Sequence, residues 1–115
     1  MALIDVYTRL QTLDVPVTYM AFKSAQSPPY IVYYESGAEF HGSDEKNYIK
    51  DMTVVIELYC ENKNTQIEKS IENLFSDVEL SKSEDVWIED EQLIMVTYEF
   101  TTINKIGRAS CRERV

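Results

Sequence analysis

His41 is the only histidine of the chain, and Cys60 and Cys111 are its only thiols. A nucleophilic site of the Ser-His-Asp or Cys-His type needs a base that titrates near neutrality, so any such site has to be built on His41. His41 is followed by Gly42 and Ser43 in a polar stretch, the setting of a solvated loop histidine rather than of a positioned base. Cys60 closes a row of alternating apolar residues, where a buried and inert thiol is expected. Carboxylates gather at Asp44-Glu45 and at Glu89-Asp90-Glu91, and either group could hold a hard cation. Neither has the D-x-D-x-D-G spacing of a calcium loop, and solvated turns account for both. Trp87, Tyr30, Tyr33, Tyr34, Tyr59 and Tyr98 could stack single-stranded bases, but a stacking platform interleaves basic residues and here acids surround the rings. Packing in a core or an interface is their expected role. Only three glycines occur, and they form no phosphate-binding loop. These residues therefore supply no catalytic group, no metal set and no cofactor site. An enzyme based on paired carboxylates would lack an accompanying base, metal or phosphate loop.

The element that positions the rest runs from Asp51 to Phe75. Met52, Val54, Ile56, Leu58 and Cys60 fall on one side of an extended chain and Thr53, Val55, Glu57, Tyr59 and Glu61 on the other, because strand side chains alternate faces. The first set is wholly apolar and has to face a core. After Glu61-Asn62-Lys63-Asn64 the period changes to that of a helix face, with Ile67, Ile71, Leu74, Phe75 and Val78 inward and Glu68, Lys69, Glu72 and Asn73 left for water. Thr65 and Glu68 have the spacing of a capping box. Burial at roughly 0.8 kcal/mol per CH2 exceeds the weak intrinsic helicity of so short a segment, so the helix is expected to fold back onto the strand.

Toward the N-terminus, Leu3, Tyr7, Leu10 and Leu13 make the stripe of a first helix that stops near Asp14, ahead of Pro16. Val17 to Phe22 predicts a short strand, Ser24 to Pro29 a loop, and Tyr30 to Tyr34 a strand covered on both faces. Ala38 to Lys46 is polar and loop-like. Beyond the second helix, Val86 to Glu89 and Leu93 to Thr102 predict two strands in a hairpin around Asp90 and Glu91, with Ile94, Val96, Tyr98 and Phe100 as the apolar row of the last. The order is αβββαββ. Links of hairpin length imply antiparallel pairing, so the expected class is α+β, a mainly antiparallel sheet of about five strands with two helices.

Residues 1–105 are expected to form a single domain. Residues 106–115 break with what precedes them: three arginines follow a chain that otherwise has only Arg9, and the segment resembles vector-encoded sequence, expected to be disordered or irregular. Without Gly107–Val115, Lys and Arg fall from 11 to 8 and Asp and Glu from 20 to 19, so the net charge moves from −9 to −11. So acidic a surface repels phosphates and anionic lipid, which disfavours sequence-specific nucleic-acid binding and membrane association, though DNA could pass it without binding. No apolar run approaches the roughly 20 residues of a membrane span, and Met1 to Leu10 lacks the basic region of a secretory signal. With Cys111 set aside, Cys60 has no intrachain partner, as expected in a reducing compartment.

Several phrases carry a resemblance. An N-terminal amphipathic helix, PPYIVYY, an acidic stretch at Asp44 to Tyr48, VVIELYCENKN leading into TQIEKSIENLF, and the strand LIMVTYEF together resemble the small tail-completion proteins of siphophages and prophages of Gram-positive bacteria. The likeness covers most of residues 1–104. It implies a head-tail joining or tail-terminator role with no catalysis: an α+β subunit of a virion ring, commonly a hexamer. Such a ring is assembled in the host cytoplasm and contacts the tail-tube protein and the head connector. A small acidic inhibitor or immunity protein that docks on a basic target is the alternative.

Self-association is expected independently of this resemblance. The face of the long strand opposite its core row carries Val55 and Tyr59, and the matching face of the last strand carries Leu93 and Met95. Val17 and Tyr19 lie in a short uncharged strand with nothing to protect it at a sheet edge. Either the first helix or another subunit has to cover the second face.

Overall fold

The computed structural model describes residues 2–24, 26–43 and 47–107. Helix α1 (Leu3–Gln11) is followed by strands β1 (Val17–Tyr19), β2 (Tyr30–Ser43) and β3 (Asn47–Cys60), helix α2 (Thr65–Leu74), and strands β4 (Ser81–Lys82), β5 (Val86–Ile88) and β6 (Leu93–Gly107). The six strands form one sheet in the order β1-β2-β3-β6-β4, with β5 also paired to β6. The class is α+β, as expected, with β4 as an additional strand.

The alternation of β3 is realised residue by residue. Met52, Val54, Ile56, Leu58 and Cys60 are all buried, flanked in register by Ile31 and Tyr33 of β2 and by Val96, Tyr98 and Phe100 of β6. Ile71 and Phe75 of the α2 segment close over this row. Val6 and Leu10 of α1 join the same cluster, so both helices lie on one side of the sheet. The first helix therefore does not cover the second face. Arg9 links the helices: its guanidinium donates to the Leu74 carbonyl at 2.9 Å and to Asp77 at 2.8 Å, and stacks over the Phe75 ring.

Five expectations are corrected. The β1–β2 pair is parallel, with Val17 opposite Ile31, not antiparallel. Met20, at φ 69°, turns the chain out of β1 three residues earlier than the β-forming composition of VTYMAF suggests, and the lengthened connection to Tyr30 can then cross back. The polar segment from Ala38 is not a loop within the described residues: Ala38 to Ser43 continues β2, paired to β3 as far as Ser43 opposite Asn47. At the start of α2 the cap is Asn64, whose Oδ1 accepts the Ile67 N–H at 3.1 Å, rather than a Thr65–Glu68 box. Glu68 is not left for water but is 3 % exposed. β6 runs to Gly107, so Ile106 and Gly107 are not irregular as expected of residues 106–115; residues 108–115 lie outside the described set. The hairpin at Asp90 and Glu91 is as expected, closed by a Gln92 N–H to Glu89 carbonyl bond at 3.3 Å.

The molecule is elongated, 50 × 28 × 25 Å. Its body is the part of the sheet under the helices. Beyond Gly37, Met52 and Thr102 the strands β2, β3 and β6 continue as a three-stranded arm.

Candidate functional site

On the face opposite the helices, Tyr34 lies across from Val55, and Tyr59 lies between Tyr30 and Met95. Glu57 ties this surface together, accepting the Tyr59 hydroxyl at 2.7 Å and the Tyr34 hydroxyl at 3.0 Å. Burial, reinforced by these bonds to a carboxylate, raises the pKa of both phenols, that of Tyr59 strongly. Tyr30 stacks on Tyr59 with ring centroids 4.9 Å apart, and Phe22 meets Tyr30 edge-on at 5.5 Å. The chain between β1 and β2 and the tip of the β5–β6 hairpin rise on either side. Together they enclose a cleft of about 440 Å³ whose lining includes Met20, Phe22, Lys23, Tyr30, Tyr59 and Glu91. Lys23 has no ion-paired carboxylate among the described residues.

Of the residues expected to form a self-association surface, Val55, Tyr59, Leu93 and Met95 do share this face. Val55 and Leu93 are buried within the single chain, while Tyr59 and Met95 are half-buried. Val17 and Tyr19 do not join them. They lie on the helix side at the β1 edge, Val17 against the core and Tyr19 edge-on to Tyr33 at 5.2 Å. Trp87 is 54 % exposed and so is not a core residue, whereas Tyr33 and Tyr98 are.

No protein-family model matches the chain, and no curated protein does. Function therefore has to be argued from the surfaces themselves.

His41 is in β2 rather than in a loop, with Nε2 2.8 Å from Asp51 Oδ2 and Glu39 beside them. The three side chains could approach one ion, yet Asp51 is already engaged by the imidazole, so the cluster is explained as a hydrogen-bonded His41–Asp51 pair with a neighbouring acid. Asp44 and Glu45 lie outside the described residues. Glu89, Asp90 and Glu91 are exposed at the hairpin turn. Cys60 is buried on the helix side, and burial followed by the nearby Glu68 charge pushes its thiol up, away from the reactive thiolate.

One buried polar group was not foreseen. Glu68 receives Lys63 at 3.0 Å and Lys82 at 2.6 Å, and Lys63 also binds Asp85 at 2.8 Å. Tyr98 donates to Glu72 at 2.8 Å beside it. The network pins β4 and the chain before β5 to α2. Lys63 and Lys82 in polar connections were its only sequence signal. The arm was missed for a related reason, since its tip is written in Gly, Ser and charged residues. It nevertheless exposes Phe40 at 62 % and Ile103 at 69 %, with Ile49 also exposed. No helix among the described residues is long and apolar enough to cross a membrane.

Proposed function

We propose that this chain is a structural subunit of a phage or prophage virion, a tail-completion protein that assembles as a ring on the head-proximal end of the tail tube and joins it to the head connector. The observation that carries this reading is the one-sided layering of the sheet. Two helices close one face, while the other keeps an aromatic cleft and the same strands run on into an arm whose apolar side chains no other element among the described residues covers. Exposed apolar surface of this kind suits assembly. The likeness of PPYIVYY, VVIELYCENKN and LIMVTYEF to tail-completion proteins supplies the setting. The acidic surface suits a ring through which DNA passes without sticking, by charge repulsion.

The test is light scattering coupled to gel filtration across protein concentration and salt, with and without residues 108–115, together with electron microscopy of mixtures with tail tubes. Association should rise with concentration and with salt that screens the like charges of the subunits, and rings should decorate one end of the tubes. A strict monomer that ignores tubes would favour an acidic inhibitor of a basic target instead.

A further inference from the structure

The cleft and the arm are at opposite ends of the β2–β3–β6 ladder. From Tyr59, in the cleft, to Ile49, on the arm, β3 covers roughly 34 Å at about 3.4 Å per residue, and Glu39, opposite Asp51, is roughly 27 Å from the cleft by the same measure. A chain cannot bring its own arm to its own cleft without dissolving the β2–β3–β6 ladder. The two surfaces are nonetheless complementary. The cleft offers the Phe22, Tyr30 and Tyr59 rings with Lys23 at their side, and its volume is in the range of roughly 300 to 1,000 Å³ typical of binding clefts. The arm, on the side of β3 that carries Val55 and Tyr59, offers Ile49 and Ile103 with Glu39. Glu39, like Lys23, has no ion-pair partner among the described residues. On a chain of net charge −9, an unpaired lysine beside an aromatic cleft favours an acidic, apolar occupant, and the chain carries one.

We propose that the arm of one copy seats in the Phe22–Tyr30–Tyr59 cleft of another, with Ile49 and Ile103 against the rings and Glu39 on Lys23. This rests on the assembly part of the function proposed above and names its contact. Made in one direction from copy to copy, the contact closes a ring or extends a filament; made reciprocally, it closes a dimer.

Zero-length carbodiimide cross-linking of the native chain, followed by peptide mass spectrometry, tests the contact directly. A Lys23–Glu39 cross-link is expected, and the separation within one chain makes it intermolecular. Lys23→Glu and Glu39→Lys should each associate several-fold more weakly alone, and a mixture of the two should recover the wild-type mass, because each restores the pairing the other lacks. Ile103→Asp should weaken association by about tenfold or more, as loss of an interface anchor does, with an unchanged denaturation midpoint. Association that ignores all three changes overturns the contact and leaves ring assembly standing, with some other surface responsible. A mass that stops at two subunits, with the cross-link present, supports the contact and overturns the ring. A chain that stays monomeric at every concentration overturns both.

Discussion

The same three strands pass through two environments. Under the helices, Val54, Ile56, Leu58, Val96 and Tyr98 are buried almost completely, while a few residues further along the same ladders Phe40 and Ile103 are mostly exposed. Backbone pairing runs through both regions, broken on the β2 side by a bulge between Glu35 and Gly37 and on the β6 side by a register shift between Tyr48 and Ile49. What differs is the second layer: Val6, Leu10, Ile71 and Phe75 cover the body, and no helix among the described residues lies on the arm. Strand pairing alone satisfies the backbone, but apolar side chains are taken from water only when another layer lies on them. The apolar residues of the body therefore hold the fold, and those of the arm are free to hold a partner.

The largest expected effect measures this difference directly. Ile56→Ala leaves a cavity under two helices and should lower the unfolding free energy by about 2 to 5 kcal/mol, whereas Ile103→Ala in the same sheet should stay within about 0.5 kcal/mol. Urea melts of both variants at low protein concentration give the values. Equal losses would abolish the distinction between body and arm. Ile71→Ala should match Ile56→Ala, since the two side chains share one core.

Next in size is the buried carboxylate. Glu68→Gln keeps the shape but removes the charge on which Lys63 and Lys82 converge, and hydrogen bonds to charged groups suggest a loss of about 1 to 3 kcal/mol. Both lysines are partly exposed and can turn to water, which favours the lower end. Urea melts should show the loss, and hydrogen exchange should show β4 loosening before β3. A neutral result would mean that β4 is held by its short ladder with β6 alone.

How much of this was legible in the sequence follows from what each element depends on. The β3 row and the inward face of α2 could be read directly, because strand and helix periods are local and their apolar residues are buried by one another. Glu68 could not, since its burial depends on lysines that come from two other segments. The cap was misplaced by one residue because Thr65 and Glu68 match a capping pattern while Asn64, an equally good cap, precedes them. The arm was read as a loop because Ser36, Gly37, Gly42 and Ser43 have poor strand propensity. Gly37, Gly42 and Ser43 are held by pairing with β3 and Ser36 sits in the bulge between Glu35 and Gly37, so propensity yields to the ladder. Val55, Tyr59, Leu93 and Met95 could be read as sharing one face of the sheet, but whether the first helix lies on it could not. Nor could the cleft, since it needs the chain around Phe22 and Lys23 to cross over Tyr30.

The tyrosines supply a smaller, pH-dependent effect. Tyr98 and Tyr59 have hydroxyls whose pKa is raised in the folded chain, first by burial and then by bonds to Glu72 and Glu57. A raised folded-state value means that the unfolded chain loses these protons first. Their contribution is thus complete below the unfolded tyrosine pKa of about 10 and is lost as pH rises beyond it. Urea midpoints should be flat from neutrality to about pH 9 and fall above about pH 10. Tyr98→Phe should be less stable at neutral pH and should fall less steeply in alkali. An equally steep fall in that variant would place the alkaline transition elsewhere.

The smallest effect on stability is expected at Phe40, and there the comparison is sharpest. Its ring is mostly exposed and lies 5.8 Å from the Lys50 ammonium, which is itself 3.6 Å from Glu35. Phe40→Ser removes one exposed ring and a weak cation–π contact, so the urea midpoint should correspond to a change within about 0.5 kcal/mol. Local opening is a different quantity. Amides of β3 on the arm share a continuous ladder with those of the body, yet they have less apolar cover, and opening free energies fall with cover. Hydrogen exchange on dilute protein should therefore find Lys50 and Asp51 less protected than Ile56 and Leu58, with the gap wider in Phe40→Ser. Uniform protection along β3 in dilute solution would mean that the ladder needs no second layer. A gap that closes as concentration rises would mean that another copy has supplied the missing layer, since only a partner can add cover without changing the chain.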